Sequence, residues 1–242
     1  MTLTIVPKDA EALLTWPGLL NAFEAGHRLP KPDIKDLFIY RGPDTVLDRA
    51  TWIDGLGALV KVATVIPSNA QRGLPTVNGS VTLYDDKTGE LTALVDFHLV
   101  TKWKTAGDSL LSARRLARKD AKNILLVGAG AVARSMVDAY SSIIPDAKFT
   151  VWNRSRAGAE AMGLPVADDL ETAVTGADII CSATMATEPL IKGDWLQPGQ
   201  HIDLIGAYRP DMREMDDTAM ARARLFVDSR ETTIHHIGEL MK

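Results

Sequence analysis

Among 242 residues there is a single cysteine, Cys181. An internal disulfide and a cysteine-built zinc site are therefore excluded, which suits a reducing compartment. Metal-ligand spacing is missing too. His235 and His236 adjoin, while His27, His98 and His201 stand alone. No H-x-x-x-H pattern arises, so these histidines are expected on the surface or at caps and no metal is predicted. Long apolar runs are also lacking: Ile124 to Val127 and Ile202 to Ile205 are strand-sized, far short of the roughly 20 residues of a membrane span. Basic excess is absent, with 27 Lys plus Arg against 31 Asp plus Glu and a net charge of -4, so neither a membrane nor a nucleic acid is an expected partner. The opening Met1-Thr-Leu-Thr-Ile-Val-Pro-Lys has an early proline and no basic segment leading an apolar one. No secretory signal is expected, and the expected compartment is the cytoplasm. There is no G-x-S-x-G nucleophile elbow. The acid pairs Asp85-Asp86, Asp168-Asp169 and Asp216-Asp217 sit near turns or helix starts, where capping rather than catalysis is expected.

What is present is enough apolar material, 46% of residues against 24% charged, for one large core or two modest ones. From Lys122 onward the pattern is regular. Asn123 to Gly128 reads as a strand buried on both faces and Ala131 to Ile144 as a helix ending before Pro145, with a second strand at Phe149 to Trp152. A short helix at Leu170 to Val174 follows, then strands at Asp178 to Thr184, His201 to Gly206 and Arg224 to Asp228. Such alternation implies a parallel sheet flanked by helices. The first hundred residues differ: Ile5 to Glu24 reads as a helix interrupted by Pro17, and Thr76 to Tyr84 with Leu91 to Val95 reads as a hairpin turning at Asp85 to Gly89, within a mostly antiparallel sheet. A helix over Thr105 to Arg118, with Arg114, Arg115, Arg118 and Lys119 on its solvated face and carboxyl end, is expected to join the two parts.

Gly128-Ala-Gly130-Ala-Val-Ala133 leaves the first of these parallel strands and opens a helix, the context that gives a glycine-rich loop its meaning. Gly128 permits the tight turn, Gly130 lets a pyrophosphate approach the backbone, and Ala133 allows close packing of helix on strand. The amino-terminal N–H groups at Ala131 and Val132 would face the anion. Roughly 20 residues on, where an NAD-specific site places an acid, stand Asn153, Arg154 and Ser155. Arg154 could pair a ribose 2′-phosphate bidentately, with Asn153 and Ser155 donating hydrogen bonds, so NADPH is preferred and NADH is possible; a solvated loop arginine is the other reading. Lys61 and Lys104 both lie in apolar surroundings. Each could bind a substrate carboxylate or pass a proton, or be an edge or snorkelling lysine.

Several segments together are similar to the ornithine cyclodeaminase/mu-crystallin family: Val60-Lys61-Val-Ala-Thr-Val with Pro67 and Asn69, Gly73-Leu-Pro-Thr76, Trp103-Lys104-Thr105-Ala106, the glycine loop, Ala177-Asp178-Ile-Ile with Ala183-Thr184, and Ile205-Gly206-Ala207-Tyr208-Arg-Pro210-Asp-Met-Arg213-Glu214. The resemblance runs from about Leu56 to Leu240. It implies an α/β fold: a Rossmann doubly wound parallel sheet over 113–229, plus a smaller α+β substrate and dimerisation domain over 1–112, completed by the segment from 230 onward. Family members usually continue several dozen residues past the point where this chain ends. The resemblance also implies a homodimer, a substrate site between the domains, and a small imino or amino acid as substrate. By position, Lys61, Thr76 and Lys104 would contact the substrate, with Lys61 and Lys104 catalytic. Thr105 would contact a cofactor phosphate, and Ala183, Thr184, Met185 and Tyr208 would line the cofactor. Arg41 or Arg49 would complete the site.

Two departures bear on the reaction. Many members have Arg where Lys104 stands, and cyclodeaminating members have Asp where Tyr208 stands. Tyrosine is a poor base at neutral pH. The expected reaction is thus reduction, by NAD(P)H, of a small cyclic ketimine carboxylate such as pyrroline-2-carboxylate, with Lys104 on the carboxylate and Lys61 completing that clamp or protonating nitrogen. The alternatives are ornithine cyclodeamination with bound NAD, dehydrogenation of an open-chain amino acid such as alanine, and non-catalytic NADPH binding as in crystallin-like members.

Overall fold

The computed structural model describes residues 2–241. Two compact units divide the chain, Met1–Trp103 and Lys104–Lys242. The division falls inside the joining helix rather than after residue 112, and the segment from 230 onward groups with the second unit.

The first unit is a six-stranded sheet made of β1 (Thr4–Val6), β2 (Asp33–Arg41), β3 (Asp44–Ile53), β4 (Gly57–Val65), β5 (Val77–Tyr84) and β6 (Leu91–Val95), in the order β1-β6-β5-β4-β3-β2. All neighbours are antiparallel except β1, which runs parallel to β6. The expected hairpin is β5 and β6. Its turn is closed by the Asp85 carboxyl, which accepts the N–H groups of Lys87 and Thr88 at 3.0 and 2.8 Å. Ala63, Val81 and Phe97 form the core on one face.

The single interrupted helix expected over Ile5 to Glu24 is instead β1, a 3-10 turn at Lys8–Leu13 and helix α1 (Trp16–Gly26). Pro17 falls in the first helical turn, where a missing N–H costs nothing, and the Thr15 hydroxyl accepts the Gly18 N–H at 3.2 Å. The joining helix, α2 (Phe97–Leu116), starts eight residues earlier than expected. The cause is a cap: Asp96 Oδ1 accepts the Leu99 N–H at 2.8 Å. Trp16 and Trp103 stack at 4.1 Å between centroids.

The second unit holds the parallel strands β7 (Asn123–Val127), β8 (Lys148–Trp152), β9 (Ile179–Ser182) and β10 (His201–Leu204), in the order β10-β9-β7-β8. Helix α3 (Ala131–Ser141) links β7 to β8. Between β8 and β9 come α4 (Arg156–Glu160) and α5 (Leu170–Gly176). Four of the five residues of β7 are buried, so both faces are covered, as its unbroken apolar sequence requires. The chain pairs β8 on one side of β7 and β9 on the other, which makes the carboxyl edge between β7 and β9 the topological switch point. After β10 come α6 (Asp217–Arg222) and α7 (Arg230–Thr233). The strand expected at Arg224 to Asp228 does not form. Leu225, Phe226 and Val227 are exposed there, and without a layer to pack against, β-forming residues do not make a strand. Asp169 and Asp216 cap α5 and α6, as their positions suggested.

Candidate dinucleotide and substrate site

Gly128 leaves β7 with φ 108°, a conformation reserved for glycine, and a Cβ on it would lie 2.7 Å from the Ala183 carbonyl oxygen. It brings the glycine loop into contact with the residues after β9, across the switch point. Gly130 caps α3, whose first turn receives no side-chain hydrogen bond, and a Cβ at Gly130 would meet nothing within 4 Å. Glycine here keeps open space in front of free N–H groups at Ala131 and Val132, the surroundings a pyrophosphate needs. Ala133 is buried, as helix-on-strand packing requires. A dinucleotide fits these residues.

Past the end of β8, Asn153 Nδ2 donates to the Ser155 carbonyl at 2.9 Å and shapes the turn. Arg154 and Ser155 are exposed. The Ser155 hydroxyl does not cap α4. Arg156, two residues on, is engaged by Glu160 at 2.9 Å and by Asp168, whereas Arg154 has no ion pair among the described residues. Glu160 and Asp168 are thus committed to the other arginine.

Thr184 and Met185 follow β9, and Tyr208 follows β10. Met185 is exposed and Tyr208 half-buried, with the Tyr208 carbonyl 3.2 Å from His236 Nε2. Behind them lies Glu214, fully buried. Its Oε1 accepts from Ser182 Oγ at 2.6 Å and from the Thr184 N–H and Oγ1 at 2.7 Å each, while Oε2 accepts the Gly206 N–H at 2.7 Å. Glu239 Oε1 in turn accepts the Glu214 N–H at 2.5 Å, and Glu239 Oε2 is buried without a partner among the described residues. Burial pushes the Glu239 carboxyl above the usual range, and the neighbouring Glu214 adds to the shift.

Lys104 and Thr105 lie on α2 in the second unit. Lys104 Nζ is 2.5 Å from Asp108 and 3.8 Å from Asp228, so its ammonium is shared between two carboxylates that sequence reasoning overlooked.

In the first unit Lys61 is half-buried on β4, in register with Arg49 on one side and Val81 on the other. It shares the core face, with Nζ 5.2 Å from the Phe97 ring centroid. Arg49 is bidentate to Asp36 at 2.8 and 2.7 Å. Arg41 ends β2, is 83% exposed and pairs with Asp44 at 2.8 Å. Of the two arginines, Arg49 is therefore the neighbour of Lys61. Thr76 is not brought to it. The Thr76 carbonyl accepts the Ile66 N–H at the far end of β4, five residues beyond Lys61, or roughly 16 Å along the strand.

His201 is not a surface or capping residue. It is 10% exposed, with Nε2 3.1 Å from Asp203 Oδ1 and 3.3 Å from Ser112 Oγ. Asp203 also accepts from Ser112 at 2.8 Å and from the Tyr140 hydroxyl at 2.5 Å. The i, i+2 spacing of His201 and Asp203 put both on one face of β10, turned inward. Burial, with Asp203 adding to it, drives the Tyr140 hydroxyl and the Cys181 thiol well above their ordinary ranges, so Cys181 is an inert thiol.

A parallel sheet with a glycine loop and a helix without a side-chain cap at its switch point defines an α/β protein of the Rossmann type. The ornithine cyclodeaminase/mu-crystallin family model matches residues 54–242, and the chain belongs to that family. It is 48% identical over 243 residues to a Delta(1)-pyrroline-2-carboxylate reductase of Paracoccus denitrificans, covering 96% of this chain and 77% of the relative. It is 35% identical to mouse ketimine reductase mu-crystallin over 75% of this chain, and spans 60% of that relative. Among solved structures, a Thermococcus litoralis Delta(1)-pyrroline-2-carboxylate reductase in complex with NADH and L-proline matches with TM-score 0.88 and 26% identity, over all of this chain and 79% of the other. An iminosuccinate reductase of Paracoccus denitrificans in complex with NAD+ matches with TM-score 0.83 and 26% identity, over 99% and 78%. No helix among the described residues is long and apolar enough to cross a membrane.

Proposed function

We propose that this protein reduces a small cyclic ketimine carboxylate of the pyrroline-2-carboxylate kind to the cyclic amino acid, using NAD(P)H. The observation that carries the reading is the 48% identity to a reductase of that name across 96% of the chain. A bound reduced nicotinamide supplies hydride to the carbon of the C=N bond. The protein's part is to hold the reactants and to manage one proton and one carboxylate.

The α3 amino terminus and the loop from Gly128 to Val132 take the pyrophosphate, and Thr105 adds a hydroxyl to a phosphate. Asn153, Arg154 and Ser155 take the adenosine end, and the exposure of Arg154, which has no ion pair among the described residues, favours NADPH over NADH. Ala183, Thr184, Met185 and Tyr208 line the remainder. On the substrate side Lys61 and Lys104 are the contacts, and Thr76, at the far end of β4, is not one of them. A carboxylate at Lys104 would share its ammonium with Asp108 and Asp228, which makes Lys61, beside Arg49, the better placed cation to pass a proton to the ring nitrogen.

A homodimer completes the reading. The sheet face opposite the core carries Leu37, Ile39 and Trp52, exposed 58, 57 and 47%. An open apolar face of that kind suits a second copy of the chain.

The test follows absorbance of reduced nicotinamide on addition of pyrroline-2-carboxylate. Turnover with NADPH exceeding that with NADH is expected. No turnover with either cofactor overturns the reading, and ammonia released from ornithine without net cofactor consumption replaces it with cyclodeamination.

A further inference from the structure

We propose that Glu214 is a positioning residue for the dinucleotide: its buried carboxyl locks the loops after β9 and β10 into one rigid wall at the carboxyl edge of the sheet. The proposal rests on the reading of that edge as a dinucleotide site. Every polar atom of Glu214 is engaged. Its two carboxyl oxygens take four donors, from Ser182, Thr184 and Gly206. Its N–H goes to Glu239 and its carbonyl oxygen accepts the N–H groups of Leu190 and Ile191 at 3.0 Å each.

Two of the four donors are backbone amides, Thr184 and Gly206, at points where the chain leaves the β ladder and a new acceptor is needed. Burying a carboxyl with no Lys or Arg ion pair among the described residues is costly. An apolar side chain of the same size would avoid that cost but strand both amides. The gain is geometric. A Cβ on Gly206 would collide with the Thr184 backbone and lie 2.8 Å from Glu214 Oε1, and one on Gly128 would lie 2.7 Å from the Ala183 carbonyl oxygen. The glycine loop, Ala183-Thr184 and Gly206 are thus in backbone contact across the ends of β7, β9 and β10, and Glu214 is the bolt through them. A cofactor crossing this edge meets the far side of those same loops.

The test is a titration of NADH and NADPH against wild type and Glu214→Gln, with steady-state kinetics on the imine. The glutamine keeps an acceptor toward one loop and turns an NH2 against the donors of the other. Losing one such bond should raise the cofactor Kd and KM about tenfold, with kcat at saturating cofactor and the imine KM close to wild type. A purely structural role would lower Tm while leaving Kd of the folded protein unchanged, and that result overturns the proposal. If Glu214→Gln does not fold, Ser182→Ala removes one of the four donors. It should raise Kd about threefold, and an unchanged Kd overturns the proposal equally. Wild type that binds neither dinucleotide would be a failure of the dinucleotide reading itself, distinct from a variant that binds as wild type does.

Discussion

The two sheets present their chemistry from different places. In the second, apart from Thr105 on α2, the groups that suit a cofactor sit just past strand ends: Gly128 after β7, Asn153 to Ser155 after β8, Thr184 after β9 and Gly206 after β10. In the first, the charged group sits at mid-strand, where Asp36, Arg49 and Lys61 line up across β2, β3 and β4 on the core face. Strand ends free backbone N–H groups and can therefore bind phosphate without costly side chains. A strand face offers only side chains, so charge there must be paired. Arg49 has its carboxylate in Asp36, and Lys61 has the Phe97 ring.

That contrast is broken most directly at Lys61. Lys61→Ala should lower kcat/KM for the imine about 100-fold or more while the NADPH Kd stays as in wild type; a loss confined to cofactor binding would mean that the two sheets do not divide the work this way. Arg154→Ala sharpens the strand-end half. Its NADPH Kd should rise about tenfold with NADH binding unchanged, and equal losses for both cofactors would make Arg154 a contact of the shared part of the molecule.

The smallest effect concerns the carboxyl that braces Glu214. Glu239 has a folded-state pKa raised by burial, so the folded protein holds that proton more tightly than the unfolded chain does. Its contribution to stability is fully present below the unfolded value and is lost as pH rises through the folded value. Glu239→Gln should therefore match wild type in acid and exceed it at higher pH by about 2 °C in Tm, read by thermal melts across the two conditions. A gain that is larger in acid would reverse the assignment.

How far the sequence reading carried differs between the sheets for the same reason. The glycine loop, the strand before it and the helix after it are one continuous segment, so an unbroken apolar run giving way to a helical period located them within a few residues. Arg49 lies 12 positions from Lys61 and Asp36 lies 25. Nothing local announces that three strands will align them, which is why Arg41 and Arg49 could not be told apart. Pro17 misled because a proline inside a helix and a proline opening one look alike until the Thr15 cap is in place. Arg224 to Asp228 misled because it has strand composition without a neighbour to bury it. His201 misled because a lone histidine two residues before an aspartate carries no sign of the Ser112 and Tyr140 hydroxyls that meet the pair from α2 and α3.

Chain order alone was enough for the family, the parallel sheet, the glycine loop between strand and helix and the want of an acid after β8, since each depends on residues a few positions apart and on the pattern of burial. The partners of Lys104, the placing of Arg49 rather than Arg41 beside Lys61, the separation of Thr76 from Lys61 and the place of Glu214 among four donors depended on folding. Each brings together groups distant in sequence, and it is register and packing that make a hydrogen bond or an ion pair between them.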